Sequence, residues 1–471
     1  MSDILQRVRQ ANPIVGVEDL GSAEYAMALA EIEDRWEFGG RQPRATTARP
    51  SGWLRPALVA VGAALLIALV IGGPILFMRD SEEPVTDTTV PQVTTTRPPV
   101  STTSAVTTIA PATTTTIAAP LPSAPAMNWQ RAPEHPMFDQ TVIWSVTAGG
   151  PGLVATGGSH NDQGMMIDGI IWTSEDGISW QRIDDPSFAT SVPEEEIKFG
   201  SLGTGIRDVA ATPQGVVGVG FVGNDGAAWY SPDGATWQRA QDDDLRAEGI
   251  VRILAVAAGD PGWVAVGEID MDGGIWLSEN GLEWSRVEDE DLLAGSRVDV
   301  TISDVAAWGD GLIAVGSLGI DDGTEDRELR GAIWVSDDGL DWVEVADPSF
   351  RETHVFEGVS VDPATGTVFA FSSPGGIWMS SDGITWEINP CDGRWDCPPA
   401  QSRAAWDGER ALAGGPDQAL ALYVSGDRGS TWQRVDPDDS AFADGEVVDV
   451  ALFEDRFIVV GSLIWIGTWD E

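Results

Sequence analysis

Three aspartates, Asp208, Asp304 and Asp449, stand in matching places: Asp208-Val209-Ala210, Asp304-Val305-Ala306 and Asp449-Val450-Ala451. Carboxylates gathered on one axis suit two kinds of chemistry. They hold a cation or a cationic ligand, or they act as acid and base on a glycosidic bond. The plainer reading is that each accepts hydrogen bonds from neighbouring backbone and fastens adjacent repeats. Ser145 and Ser360 take the same place in two further copies. A second acidic group comprises Asp270 and Asp272, then Asp321, Asp322, Glu325 and Asp326, in the loops that join second to third strands. Such oxygen-rich, Gly-containing loops either bind calcium weakly or remain solvated surface charge. None matches a recognised calcium pattern, and no other cofactor is expected.

Other chemistry finds little support. His135, His160 and His354 are far apart and flanked by different elements, so no metal cluster is expected. There is no Gly-x-Ser-x-Gly elbow and no phosphate-cradling loop. Cys391 and Cys397 are the two cysteines, with no His near them to complete a zinc site. They form a local disulfide outside the cytoplasm, or stay reduced in a reducing compartment.

The elements that would position these residues recur along the chain. The first half of each repeat is a small-apolar strand, a turn and a second strand, as in DVAATPQGVVGVG, DVAAWGDGLIAVG, RAAWDGERALAGG and DVALFEDRFIVVG. The second half is a Trp-led strand, a tight turn and another Trp, as in IWTSEDGISW and IWMSSDGITW. The equivalent aromatics are Trp172, Trp229, Trp276, Trp334, Trp378, Tyr423 and Trp465, spaced 57, 47, 58, 44, 45 and 42 residues apart. About four short strands per repeat at this period is the mark of propeller blades. The seventh copy stops after its third strand. Asn128-Trp129-Gln130-Arg131, which matches the Trp-Gln-Arg endings at 180–182, 237–239 and 432–434, supplies the missing outer strand. The expectation is an all-β, seven-bladed propeller over residues 127–471, closed by an N-terminal strand that hides the sheet edges.

The second half-repeat resembles the Asp box, or BNR repeat, of sialidase-like propellers. Ser425-x-Asp427-x-Gly429-x-Thr431-Trp432 fits the family pattern throughout. Shorter copies run Ser174, Asp176, Trp180; Ser231, Asp233, Trp237; Ser336, Asp338, Trp342; and Ser380, Asp382, Trp386. One copy, Ser278 to Trp284, has Asn280 in place of the Asp. In these turns Asp and Ser accept backbone N–H groups, Gly supplies positive φ and Trp fills the space between blades, which are structural tasks. The resemblance would imply sialidase activity through an Arg triad and a Tyr nucleophile. The residues disfavour it, because Tyr25 precedes the repeats and Tyr230 and Tyr423 adjoin the Asp-box turns. Arg131, Arg182, Arg239, Arg286 and Arg434 fall on outer strands.

The rest of the chain places this ring. The formal charge is −47, and residues 1–80 hold only eight Arg and nine Asp/Glu, so 65 of the 74 acidic residues lie beyond them. A domain so negative repels nucleic acid. Residues 57–78 carry no charge, and a helix of that length spans roughly 33 Å, enough for a bilayer core. Arg41, Arg44, Arg49 and Arg55 precede the span, which puts the N-terminus in the cytoplasm. The expected order is a cytoplasmic arm with two short helices (1–53), one transmembrane helix (54–79), a Thr/Pro-rich disordered stalk (80–126) and the propeller outside. The opening 4–14, ILQRVRQANPI, resembles the starts of actinobacterial membrane proteins associated with sigma factors, so residues 1–53 are a candidate arm for a cytoplasmic partner. Two functions stay open. One is an extracytoplasmic binding or sensory module for a protein, peptide or glycan; the other is an extracellular glycoside hydrolase using channel carboxylates.

Overall fold

Short runs of Val, Ile, Ala and Trp broken by Gly-bearing turns commit the chain to strands and tight hairpins. The computed structural model describes residues 126–470, apart from 162–164, 190–202, 248, 260–261, 271, 289–297, 321–327, 346, 352–354, 374, 390–397, 417–420, 436–441 and 443–444. Among these, seven four-stranded antiparallel sheets form blades 1 to 7 of a β-propeller. The inner strands are Thr141–Gly149, Thr204–Thr212, Val251–Ala258, Val298–Trp308, Val355–Val361, Arg403–Asp407 and Val447–Phe453. Each lies against the inner strand of the next blade, and the last returns to the first.

Six blades use four consecutive strands. Blade 7 does not. Its outer strand is Met127–Arg131, paired with Ile464–Trp469 in a register that sets Trp129 opposite Gly467 and Arg131 opposite Trp465. Trp129 also meets Phe442 edge-on, with ring centroids 4.9 Å apart. The two ends of the propeller therefore share one sheet, so unzipping the ring requires breaking a full strand pairing.

Aromatic side chains fill the space between blades. Trp172, Trp229, Trp276, Trp334 and Trp465 are fully buried, and Tyr423 nearly so. Connectors between blades add a second aromatic layer. Asp185-Pro186-Ser187-Phe188 folds as a 3₁₀ turn in which the Asp185 carboxylate accepts the Ser187 N–H, and Phe188 packs on Trp229 and Trp237 of the next blade. Pro348–Arg351 repeats the device, with Phe350 against Trp378 and Trp386.

The tight turns are held from within. Ser174 Oγ accepts the Gly177 N–H at 2.8 Å, and Asp176 accepts the N–H groups of Ile178 and Ser179 at 2.8 and 2.7 Å. Gly177 stands at φ 73°, and the Trp180 indole donates to its carbonyl at 3.0 Å. The same bonds recur around Asp233, Asp338, Asp382 and Asp427, and at Asn280, where Leu282 and Glu283 donate to the side-chain oxygen. Backbone donation holds the Asp176 and Asp233 carboxyls below the usual carboxylate range. Gly150, in the turn after an inner strand, lies against Asp233 and Gly234 of the next blade, so these two kinds of turn share a face. The loops joining second to third strands meet the blade connectors on the other face: Gly223 donates to Gly203, and Asp270 to Ile250.

Among the described residues no helix is long and apolar enough to cross a membrane. The 57–78 span, the arm 1–53, the stalk, Cys391, Cys397, Asp321 and Asp322 all lie outside the described residues.

If the closing strand carries the weight its pairing indicates, Trp129→Ala lowers unfolding stability by about 3 kcal/mol. Gln130→Ala, on the exposed side, shifts it by less than about 0.5 kcal/mol. Denaturant midpoints of the two variants check this; equal midpoints would detach the N-terminal strand from ring closure.

Candidate functional site at the bore

Strand register picks out one position in every blade. It is the residue paired with Thr156, Val219, Val266, Val315, Phe371, Gly414 or Val460 of the second strand. Reading round the ring, its occupants are Ser145, Asp208, Ala255, Asp304, Gly358, Arg403 and Asp449. The three aspartates singled out from sequence do share it. Ser360 does not: the hairpin of blade 5 is longer by two residues, Gly358 pairing with Phe371 where Asp208 pairs with Val219, so Gly358 takes this position and Ser360 lies two residues on. Arg403 occupies it in blade 6.

Arg403 organises the bore. Its guanidinium meets Asp208 through Nη1 at 2.7 Å and Nη2 at 3.0 Å, and Asp304 through Nη2 at 2.8 Å and Nε at 3.2 Å. Asp208 belongs to blade 2 and Asp304 to blade 4, neither of which adjoins blade 6, so the side chain spans the opening. Both carboxylates are almost fully buried, while the Arg403 side chain keeps 29% exposure.

The remaining lone pairs fasten blades together. Asp208 accepts the Ser145 hydroxyl at 2.7 Å and the Val256 N–H at 2.8 Å, tying blade 2 to blades 1 and 3. Asp304 takes the Val359 N–H of blade 5 at 3.0 Å, and Asp449 takes the Val146 N–H of blade 1 at 3.0 Å. Where the preceding blade offers no acceptor, as at Ala255 and Arg403, the Asp also accepts the N–H of its own next residue, Val305 or Val450. Ser360 serves blade 6 by accepting the Ala404 N–H at 2.9 Å.

These contacts separate the three carboxyls electrostatically. Burial pushes each upward. For Asp208 the Arg403 charge and four hydrogen bonds outweigh burial, and it ends below its ordinary value. Asp304 remains raised despite Arg403. Asp449, which Arg403 reaches only through space, is pushed up to about 6. Burial alone would lower Arg403, but the Asp208 and Asp304 charges hold it well above its normal value. The cluster can keep a proton near neutrality, yet its strongest cation site is already filled by the chain's own guanidinium.

One residue before this ring, six inner strands carry an extra residue in a bulge: Trp144, Arg207, Leu254, Ser303, Glu357 and Val448. All six are half-buried, so each contributes surface to the mouth of the bore. Arg207 lies over the Trp144 ring at 4.8 Å, and Arg252 over Phe221 at 5.3 Å. Burial raises Glu357, which accepts from the Gln401 amide at 2.7 Å.

The other sequence candidates lie apart from the bore. Asp270 has φ 51°, and one carboxylate oxygen accepts the Ile250 N–H at 2.7 Å; Asp272 begins the third strand of blade 3. No cluster of three or more metal-ligating side chains occurs among the described residues. The Tyr230 hydroxyl donates to the Gln214 carbonyl in a turn on the Asp-turn face, and Tyr423 is buried in blade 6. Arg131, Arg182, Arg239, Arg286 and Arg434 lie on outer strands. Arg207, Arg252 and Arg403, which the sequence reading passed over, lie on inner strands instead. The signal for Arg403 was present, because RAAW aligns with DVAA.

Fold and site define a class: an all-β, seven-bladed propeller with an internally paired bore. No family model and no curated protein sequence matches the chain. Among solved structures it is similar to selenomethionine-substituted virginiamycin B lyase from Staphylococcus aureus, at 9% identity and TM-score 0.47, covering 73% of this chain and 99% of that one. It is also similar to YCF48 bound to D1 peptide, at 16% identity and TM-score 0.30, covering 74% and 100%. At these identities and scores neither likeness bears on a ligand for this chain.

Two outcomes follow from the bore. Arg403→Met leaves two buried carboxylates without their partner and costs about 3–5 kcal/mol of stability in denaturant titration near pH 7. Asp449 holds its proton more tightly folded than unfolded, where an exposed Asp titrates near 3.9. Its stabilising effect is complete below about pH 4 and lost as pH rises through about 6. Stability measured across pH 4 to 7 shows this decline, and Asp449→Asn flattens it; an unchanged slope would assign the proton elsewhere.

Proposed function

We propose that this chain is a single-pass membrane protein that displays an Asp-box propeller outside the cell as a binding or sensory module for a protein, peptide or glycan. The observation that carries binding over catalysis is the occupancy of the bore. Asp208 and Asp304, the carboxylates a glycosidase would need free, are both engaged by Arg403 and by backbone N–H groups of neighbouring blades. A general acid or base must be able to reach substrate. What remains accessible is the loop face and the mouth.

The anchor rests on sequence: the uncharged run 57–78 with arginines before it and Asp80, Glu82 and Glu83 after it. The Thr/Pro stretch that follows acts as a spacer, and the acidic ring stays soluble and clear of anionic lipid. In this reading residues 1–53 present an inner surface to a cytoplasmic partner.

Topology is tested on intact cells that carry an N-terminal and a C-terminal epitope. External protease removes the C-terminal epitope and spares the N-terminal one; protection of both would overturn the placement. On a glycan panel the full-length protein shows no turnover. Hydrolysis that disappears in Asp208→Asn or Asp304→Asn, with the fold retained, would instead establish the hydrolase.

A further inference from the structure

The mouth of the bore holds a feature at odds with its surroundings. Beyond residue 80 the chain is overwhelmingly acidic, yet Arg207 of blade 2 and Arg252 of blade 3 lie over the rings of Trp144 and Phe221, and both rings adjoin Gly205. Arg252 has a nearby carboxylate, Glu268, and burial has raised that group toward its neutral form. Arg207 has none within ion-pair distance among the described residues. Its adjacent Asp208 is committed to Arg403, Ser145 and the Val256 N–H. Burial depresses the charged state of both guanidiniums. Two partly desolvated cations, Arg207 beside the already committed Asp208 and Arg252 beside a weakened Glu268, gain stability from an anion that joins them.

The geometry points to a carboxylate site, and we infer that it receives the C-terminal carboxylate of a peptide or protein whose last side chain is apolar. This rests on the reading of the propeller as a binding module and narrows it. The Arg207 guanidinium carbon stands 4.8 Å from the centroid of the Trp144 ring, so the cation rests over an aromatic face. A planar fork held on an aromatic face presents paired N–H donors, which suit a carboxylate better than a point charge would. The rest of the mouth decides what the carboxylate is attached to. Leu254, next to Arg252 in blade 3, and Val448, across the ring in blade 7, are half-buried aliphatic residues, with Ser303 the small hydroxyl in this tier. An apolar terminal side chain would find partners there. Glu357, in the same tier, already accepts from Gln401, which leaves a polyhydroxylated acidic sugar fewer free partners.

The test uses the full chain in nanodiscs and fluorescence anisotropy. The probes are two pools of fluorescein-labelled octapeptides, degenerate except for a C-terminal Leu, Ile or Val, one pool ending in the free acid and the other in the amide. An oligouronate of similar charge is a third probe. The free-acid pool is expected to bind at least tenfold more tightly than the amide, and the preference falls as salt is raised. Arg207→Met and Arg252→Met each reduce the preference below threefold, whereas Arg182→Met, on an outer strand, leaves it intact; unfolding midpoints identify any variant that has lost its fold. Equal binding of acid and amide overturns the carboxylate site while leaving a binding module in place. Binding of the oligouronate alone also overturns it. Failure of every probe to bind removes both this inference and the peptide arm of the broader reading.

Discussion

A guanidinium stretched across the bore sets the terms for the rest of the molecule. Taking carboxylates out of water is costly, and three of them at one level of a narrow opening would repel one another strongly. Arg403 resolves most of this by pairing with Asp208 and Asp304 at once, on blades that do not touch its own. The backbone N–H groups of the inner strands complete the solution. Those strands have one edge without a sheet partner, and the aspartates accept N–H groups there from the next blade. Polar satisfaction and ring closure are thus one network.

This network leaves the bore carboxylates with their partners already engaged. Catalysis requires groups that change partners during the reaction, and these have partners whose loss would open the ring. Asp449 is the partial exception, with no direct contact to Arg403 and a proton retained to about pH 6, but it too holds blade 1. The variable surface lies one residue further toward the mouth, where bulges turn Trp144, Arg207, Leu254 and Glu357 out of the ladder. There the side chains differ from blade to blade while the backbone stays the same, which is how a repeat scaffold acquires a specific site.

Much of this was legible from the sequence. The spacing of large aromatics indicated the blade count, because each blade buries one at its interface, Tyr423 in blade 6 and Trp in the others, and Trp129 revealed the closing strand because its Trp-Gln-Arg ending belongs to outer strands. The shared position of Asp208, Asp304 and Asp449 was visible as well. Two things were not. The longer hairpin of blade 5 shifts Ser360 off the ring position, and residue matching that assumes equal turns overlooks two extra residues. Arg403 was hidden by chemistry: a search for like side chains skips a residue of opposite charge, although a cluster of buried carboxylates demands a cation. The Asp-Pro-Ser-Phe connectors went unread for a similar reason, since their Phe serves the Trp of the following repeat.

A double-mutant cycle tests the central claim most directly. Unfolding free energies are measured for the parent chain, Arg403→Met, Asp208→Asn and the double variant. The account predicts that the double variant is more stable than the sum of the single losses implies, with a coupling of at least about 1.5 kcal/mol, because once Arg403 is gone the loss of the Asp208 charge relieves one of the two carboxylates left buried without it, Asp304 being the other. Additive losses would mean that Arg403 and Asp208 do not form the cross-bore pair on which this description of the propeller rests.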